Sequence, residues 1–236
     1  MFKNFKNVKG MTMAVESGDT IQLFNGKNLD DWSAQGEDGQ HEWGVVGSVT
    51  LSPRDPKLFA TAPGEGVFYN GSTGRTANFY TAYQHADCEL HIEFVVPEGS
   101  NSGIYFMGKY EIQILDSWGE TELKYGTCGG IYARWIDGKA VGGEPPSVNA
   151  SRPPGEWQTY DAIFRAPRFD AGGNKITNAK FVKVVWNGEV VHENFEVDGP
   201  TRAAMPGEEA PVGPLMLQGD HGPVAYRNVI LRPLSL

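Results

Sequence analysis

The chain is poor in cysteine, with only Cys88 and Cys128 in 236 residues. Two thiols could form a single disulfide but no framework of them, and neither stands at metal-ligand spacing from another Cys or a His. Both read as structural, with Cys88 on the apolar face of a strand. Long apolar runs are missing too: none approaches the roughly 18 residues that cross a bilayer. The chain contains no His-x-x-x-His, no Gly-x-Ser-x-Gly, no phosphate-binding Walker loop and no dinucleotide fingerprint after a strand, so a serine hydrolase or a nucleotide enzyme has no positive support. Positive charge is the minority sign, with 20 Lys and Arg against 29 Asp and Glu and a net charge of -9. Such a chain is not drawn to phosphate backbones or anionic membranes, so neither nucleic acid nor a membrane is an expected partner, and a neutral substrate or a cation fits better. The first 18 residues carry Lys3, Lys6 and Lys9 but no apolar segment, so they do not read as a signal peptide. The compartment stays open between periplasmic or secreted and cytoplasmic.

What is abundant is punctuation. Thirty Gly and fifteen Pro are spread along the chain rather than gathered in one tract. Both are poor in helix interiors and common in turn-rich β proteins. Between them lie about a dozen short runs with strand character and no amphipathic helix of convincing length. In residues 88–96 apolar Cys88, Leu90, Ile92, Phe94 and Val96 alternate with Glu89, His91 and Glu93, and Pro97 ends the run. That is a half-buried antiparallel strand. Asn187-Gly188 between two such runs predicts a hairpin with a type I′ turn. Residues 131–136 read as a strand ending in the Asp137-Gly138 turn, and residues 52–73 read as irregular loop with a brief strand at 67–69. No internal repeat and no linker is visible. The expected organisation is an all-β sandwich or jelly roll in one domain over residues 19–236, after an N-terminal extension, read as disordered, over residues 1–18.

One strand carries candidate chemistry. In Tyr110-Glu111-Ile112-Gln113-Ile114-Leu115-Asp116, apolar Tyr110, Ile112 and Ile114 alternate with Glu111 and Gln113. A carboxylate and an amide therefore share the outward face. A Glu and a Gln on a solvated strand face are ordinary. Asp116 would join them only if a β-bulge added one residue before it. Tyr105, Tyr110, Trp118, Tyr132 and Trp135 lie near in sequence, and about two of these five are expected to line a site, since concave sites are rich in aromatics. A second constellation is Gln218-Gly219-Asp220-His221-Gly222 followed by Arg227-Asn228, which presents a titratable imidazole on a glycine turn. His41 and His85 read as loop residues, His91 as an outward strand residue, and His192 as lying just after a hairpin.

These pieces together resemble the 3-keto-disaccharide hydrolase family. The likeness is carried by Leu23-Phe24-Asn25-Gly26-Lys27-x-Leu29-x-x-Trp32, by Glu89-Leu90-x-x-Glu93-Phe94, by Asn101-Ser102-Gly103-Ile104, and by the Tyr110–Asp116 block. It continues through Gly155-Glu156-Trp157-Gln158-Thr159-Tyr160, Asn187-Gly188, and Leu217-Gln218-x-x-His221-Gly222 with Arg227-Asn228. The resemblance implies a concanavalin-like jelly roll of two curved antiparallel sheets, with the site on the concave face, and a distant similarity to laminarinase-type glucanases. Those enzymes carry Glu-x-Asp-x-x-Glu on the corresponding strand; here Gln113 and Asp116 replace the second and third acids, which tells against an ordinary retaining mechanism. The family chemistry instead suggests removal of the proton at C2 of a 3-keto-glucosyl unit, elimination of the aglycone from C1 and hydration. Glu111 or His221 would be the base, with Asp116 as its partner. Gln113, Asn101, Tyr105, Tyr132, Trp135, Gln218 and Arg227 would bind the sugar or stabilise charge. A divalent metal ion could stabilise the enolate, and a sugar 3-dehydrogenase would be the companion enzyme. A non-catalytic, lectin-like carbohydrate-binding module is the competing expectation, and an ordinary endo-glucanase the third.

Overall fold

The computed structural model describes residues 16–36 and 39–236. In chain order the strands are β1 (Glu16–Ser17), β2 (Ile21–Gln22), β3 (Trp32–Ala34), β4 (Gly44–Leu51), β5 (Phe59–Tyr69) and β6 (Phe79–His85). Then come β7 (Cys88–Val95), β8 (Asn101–Phe106), β9 (Tyr110–Leu115), β10 (Arg134–Ile136), β11 (Lys139–Val141) and β12 (Gln158–Arg165). The last are β13 (Arg168–Phe169), β14 (Lys175–Thr177), β15 (Ala179–Trp186), β16 (Glu189–Val197), β17 (Gly213–Leu217) and β18 (Ala225–Ser235). No helix occurs among the described residues. The expected extension over residues 1–18 falls mostly outside the described residues; its last part joins the fold, since Glu16 and Ser17 pair with Ser235 and Leu234.

Two sheets make the sandwich. The larger runs β16-β15-β12-β7-β18-β5-β4, with β1 and β2 also set against β18. The smaller runs β3-β6-β17-β8-β9. Every pairing is antiparallel, and the architecture is the jelly roll expected from the sequence. Between the sheets lies one continuous core, which includes Trp32, Trp43, Phe68, Phe79, Phe94, Phe106, Phe164, Phe181 and Trp186. Each large side chain taken out of water there stabilises the fold by about 1.5–3 kcal/mol before chain entropy is counted.

Alternation decides which residues reach that core. In β7 the even-numbered side chains Cys88 to Phe94 enter it, and in β12 Tyr160, Ala162 and Phe164 do the same. Asn187 has φ 51° and Gly188 φ 93°, the two positive values that the type I′ turn between β15 and β16 requires. Residues 59–69 depart from expectation. They form one strand of 11 residues, despite Pro63, Gly64 and Gly66, because β4 supplies a partner along most of its length. The register shifts between Val46 and Ser48, where Gly47 lies so close to Pro63 and Gly64 that a side chain there would overlap their backbone. Between Gly130 and Ile136 only Arg134–Ile136 is a strand, in a separate hairpin with β11. The cysteines are both free and buried; burial pushes the Cys128 thiol up to about 12, beside the Tyr160 hydroxyl at 3.1 Å.

Two histidines differ from the sequence reading. His85 ends β6 and is buried, with Nδ1 bonded to the Ala86 carbonyl at 2.9 Å and Nε2 accepting from the Met107 N–H at 3.1 Å. Burial lowers its pKa to about 4, so it is a neutral structural ring. His192 is likewise buried, inside β16, with Nε2 at 2.7 Å from the Gly129 carbonyl. Polar neighbours concealed both, Gln84 and Asp87 around the first and Glu193 and Asn194 after the second.

Candidate active site

Strand β9 is the last of the small sheet, and its pairing with β8 is regular from Phe106↔Tyr110 to Asn101↔Leu115. That regularity sets Glu111 and Gln113 on the outer face, directly opposite Tyr105 and Gly103. Beyond β9 an isolated bridge joins Ile112 to Ile131, which sets Tyr132 opposite Glu111 on its other side. The Tyr132 N–H also donates to the Glu111 carbonyl at 3.1 Å. Across β6 and β17, Tyr80 faces Met216 and Met216 faces Tyr105. One row therefore crosses the face as Tyr80, Met216, Tyr105, Glu111 and Tyr132. In the next row the Gln218 N–H bonds the Gly103 carbonyl at 2.9 Å, so Gln218, Gly103 and Gln113 lie side by side.

This face is covered. Met216, Tyr105, Glu111, Gln113 and Gln218 are all buried, although none belongs to the core between the sheets. Glu111 is 2% exposed and forms no salt bridge among the described residues. Burial raises its pKa to about 8, opposed by the polar Tyr105 hydroxyl beside it. Gly103 makes room for it: a Cβ there would overlap the Glu111 carboxyl group. Gln113 donates from Nε2 to the Gly126 carbonyl at 3.2 Å, while its Oε1 is buried without a hydrogen-bond partner. Buried acceptors left unmatched are rare in folded proteins and mark places where a ligand group fits.

The segment after β16 closes one side. Thr201 bonds Lys109 through its N–H at 2.9 Å and its hydroxyl at 3.0 Å. The Lys109 ammonium in turn donates to the carbonyls of Met205, Pro206 and Gly207. Arg202 sits on this strap; its N–H bonds the Ala133 carbonyl at 2.9 Å, its own carbonyl accepts from the Tyr105 hydroxyl at 3.2 Å, and its guanidinium lies 4.1 Å over the Trp135 ring.

His221 follows β17 on the glycine turn, with Nδ1 2.5 Å from Asp220 Oδ1. Arg75 anchors the turn through the Asp220 carbonyl at 2.8 Å, and Gly222 packs so closely on Ser100 and Asn101 that a side chain would overlap them. The turn therefore stands at the Asn101 end of β8, and the Asp220 charge acts on the Tyr105 hydroxyl. The Asp220–His221 pair thus stands on the turn that follows β17 of the same sheet, and the Asp220 charge reaches the Tyr105 hydroxyl beside Glu111.

Two expected members lie elsewhere. No bulge precedes Asp116: its N–H bonds the Ser100 carbonyl at 2.9 Å, in step with the rest of the pairing, so its side chain leaves on the side opposite Glu111. Its carboxylate instead holds the loop N–H groups of Gly99 at 2.9 Å and Trp118 at 3.3 Å. Arg227 lies in the large sheet opposite Glu93, with Nε 2.6 Å from that carboxylate and its guanidinium 4.1 Å over Trp157. It faces away from the small sheet and has no part in this site. Of the five aromatics, Tyr105 and Tyr132 flank Glu111, Tyr110 is in the core, and Trp118 and Trp135 are exposed. Sequence reasoning missed Tyr80, Met216 and Arg202, and it named Asp220 only as part of the turn that carries His221. Strand alternation could have placed the first two, whereas nothing local distinguishes Arg202. Among the described residues no three His, Cys, Asp or Glu side chains gather to hold a metal ion, so the expected divalent ion finds no ligand set and no step below passes through one.

Comparisons with known proteins bear on the family and the fold. A family profile described as the 3-keto-alpha-glucoside-1,2-lyase-like domain matches residues 19–232. No functionally curated protein matches the chain. Three solved structures from Parabacteroides distasonis ATCC 8503, each provisionally assigned as a glycosyl hydrolase, are similar along nearly their whole length. One has 27% identity and a TM-score of 0.63, over 97% of this chain and 94% of that one. The second has 22% identity and a TM-score of 0.57, over 92% of this chain and 100% of that one. The third has 18% identity and a TM-score of 0.55, over 92% and 94%, and like the second it speaks to the fold alone. With residues 19–232 matched and the sandwich shared, the chain belongs to the 3-keto-α-glucoside-1,2-lyase-like family, a carbohydrate-active family of jelly-roll proteins.

Proposed function

We propose that this protein cleaves 3-keto-glycosides by elimination and hydration, with Glu111 as the base. The observation that carries the reading is Glu111 itself: a carboxyl group 2% exposed, without a cation, raised by burial to about 8. A carboxylate made that basic can accept a proton from carbon, provided the carbon is acidified, and a ketone at C3 acidifies the hydrogen on C2. Glu111 takes that proton, and the C2–H electrons form the enolate. As the carbonyl returns, the bond from C1 to the aglycone oxygen breaks. Asp220 holds His221 through Nδ1, which leaves Nε2 to deliver a proton to the departing oxygen. Water then adds at C1, giving its proton to His221 Nε2 and restoring it, while the Glu111 proton returns to C2, so the net change is hydrolysis. The unmatched Gln113 Oε1 accepts from a sugar hydroxyl, and Asn101 and Gln218 line the same face.

An ordinary retaining glycosidase needs two carboxylates about 5–5.5 Å apart across the scissile bond. Gln113 stands beside Glu111 and Asp116 is turned away, which favours the keto-sugar route. A sugar 3-dehydrogenase would supply the substrate by oxidising the parent glycoside at C3.

The test is to incubate the protein with a 3-keto-glucoside and with its unoxidised parent, with and without divalent ions. Cleavage of the keto-sugar alone is expected, with kcat/KM rising with pH toward a plateau above about 8 as Glu111 loses its proton. Glu111→Gln should lower kcat by roughly 10²–10⁴-fold. Cleavage of neither sugar would leave a carbohydrate-binding protein, and cleavage of the parent alone would remove the ketone from the mechanism.

A further inference from the structure

Two tyrosines flank Glu111 in the same row, and their hydroxyl groups differ. Tyr105 is 1% exposed and its O–H is engaged, donating to the Arg202 carbonyl at 3.2 Å beside the Glu111 carboxyl. Tyr132 is half-buried, and its O–H bonds no described residue. The Tyr132 ring is nevertheless held. Tyr125 meets it edge-on, with centroids 5.2 Å apart at 88°. Its backbone is fixed by the N–H bond to Glu111, and the next residue by the bond from Arg202 to the Ala133 carbonyl. A placed donor with nothing to donate to is prepared for a ligand.

The charges around Tyr132 match a developing oxyanion. Burial and the nearby Glu111 keep the phenol protonated, so it is a donor at neutral pH. The Arg202 guanidinium acts in the opposite sense on the same hydroxyl. It rests over Trp135 and has no carboxylate partner among the described residues, so a positive charge acts on the Tyr132 hydroxyl. In the neighbouring row Gln113 presents a free acceptor, Oε1, while its Nε2 donates to the Gly126 carbonyl.

Building on the keto-sugar reading above, we propose that Tyr132 is a catalytic residue whose hydroxyl hydrogen-bonds the C3 oxygen of the substrate as the enolate forms. The base must face the C2 hydrogen, and the C3 oxygen lies on the neighbouring carbon. Neighbouring strands are about 4.8 Å apart, a spacing on the scale of a sugar ring, so a base and a donor on adjacent strands can address neighbouring carbons of one substrate. When the C2–H bond breaks, its proton goes to Glu111 and its electron pair becomes C2=C3. The carbonyl electrons move to the C3 oxygen, which the Tyr132 O–H stabilises. When the carbonyl re-forms, the C1–O bond breaks and the hydrogen bond weakens. No proton leaves Tyr132. The same contact gives specificity for the ketone, since a C3 alcohol develops no charge there.

The test uses Tyr132→Phe. Its hydroxyl bonds no described residue, so the variant should fold and melt like the parent. Two rates are read: cleavage of a 3-keto-glucoside, and C2–H exchange of 3-keto-glucose in D₂O by NMR. The second substrate has no aglycone, so exchange reports enolate formation alone. Both rates should fall by roughly 10²–10³-fold in the variant, with KM for the glucoside little changed. If exchange stays at the parent rate, whether or not cleavage falls, Tyr132 does not stabilise the enolate and the proposal is overturned. If the parent protein exchanges no deuterium into 3-keto-glucose, the failure belongs to the keto-sugar reading, and this proposal falls with it.

Discussion

Glu89 and Glu111 are equally buried, each 2% exposed, and each points outward from its own sheet. Glu89, on β7, accepts two bonds from the Arg232 guanidinium, one of them at 2.9 Å. The rest of that large-sheet face repeats the pattern. Glu93 is held by Arg227 and Asn228, Asp161 by His91, and Glu196 lies beside Lys180 and Arg165. On the small sheet Glu111 has two tyrosines and a glycine around it, and no salt bridge among the described residues. Burying a carboxylate is expensive, and a guanidinium alongside offsets much of the cost. Where that partner is missing, the cost reappears as basicity, which proton abstraction from carbon requires. The two faces thus separate a carboxylate used to hold strands together from one available for chemistry.

The largest way to sharpen the contrast is through pH. Glu111 titrates at about 8 in the folded chain against an ordinary 4.5, so between those values the native state holds the extra proton. Stability is therefore lost as pH rises through that window, by on the order of 4 kcal/mol in all. Glu111→Gln, inactive as a base, should unfold at higher denaturant than the parent at pH 9 and match it near pH 4.5, measured by chemical denaturation. A variant no more stable at pH 9 would show that Glu111 is paired after all.

Breaking the other carboxylate should do the reverse. Arg232→Met leaves Glu89 buried beside no guanidinium and should lower stability by about 3 kcal/mol, since removing one partner of a buried pair strands the other. Its folded fraction should keep the parent kcat, which a change at the active site would not. The smallest effect belongs to Arg227→Ala. That side chain is 38% exposed, so its ion pair with Glu93 is screened and its loss should cost less than about 1 kcal/mol. KM for the sugar should not move; a rise of tenfold would return Arg227 to the binding site.

Much of the sandwich was legible because alternation of apolar side chains is a local property. Residues 88–95 and 110–115 announce their faces by it, and Asn187-Gly188 announces its turn. β5 was not legible, because Pro63 and two glycines speak against a strand until β4 is present to pair with it. Nor was the fate of His85, whose polar flanks say nothing of the core that encloses it.

The site divides in the same way. The sequence by itself determined that Glu111 and Gln113 share one face, because a period of two admits no other arrangement without a bulge. It could not determine whether a bulge follows: the unbroken pairing with β8 sends Asp116 to the other side. Nor could it place Tyr132 opposite Glu111, Arg202 over Trp135 or Arg227 on the far sheet, since these neighbours meet through hydrogen bonds between distant segments. The basicity of Glu111 arises at that same level, because burial without a cation is a relation among many residues and no stretch of chain encodes it alone.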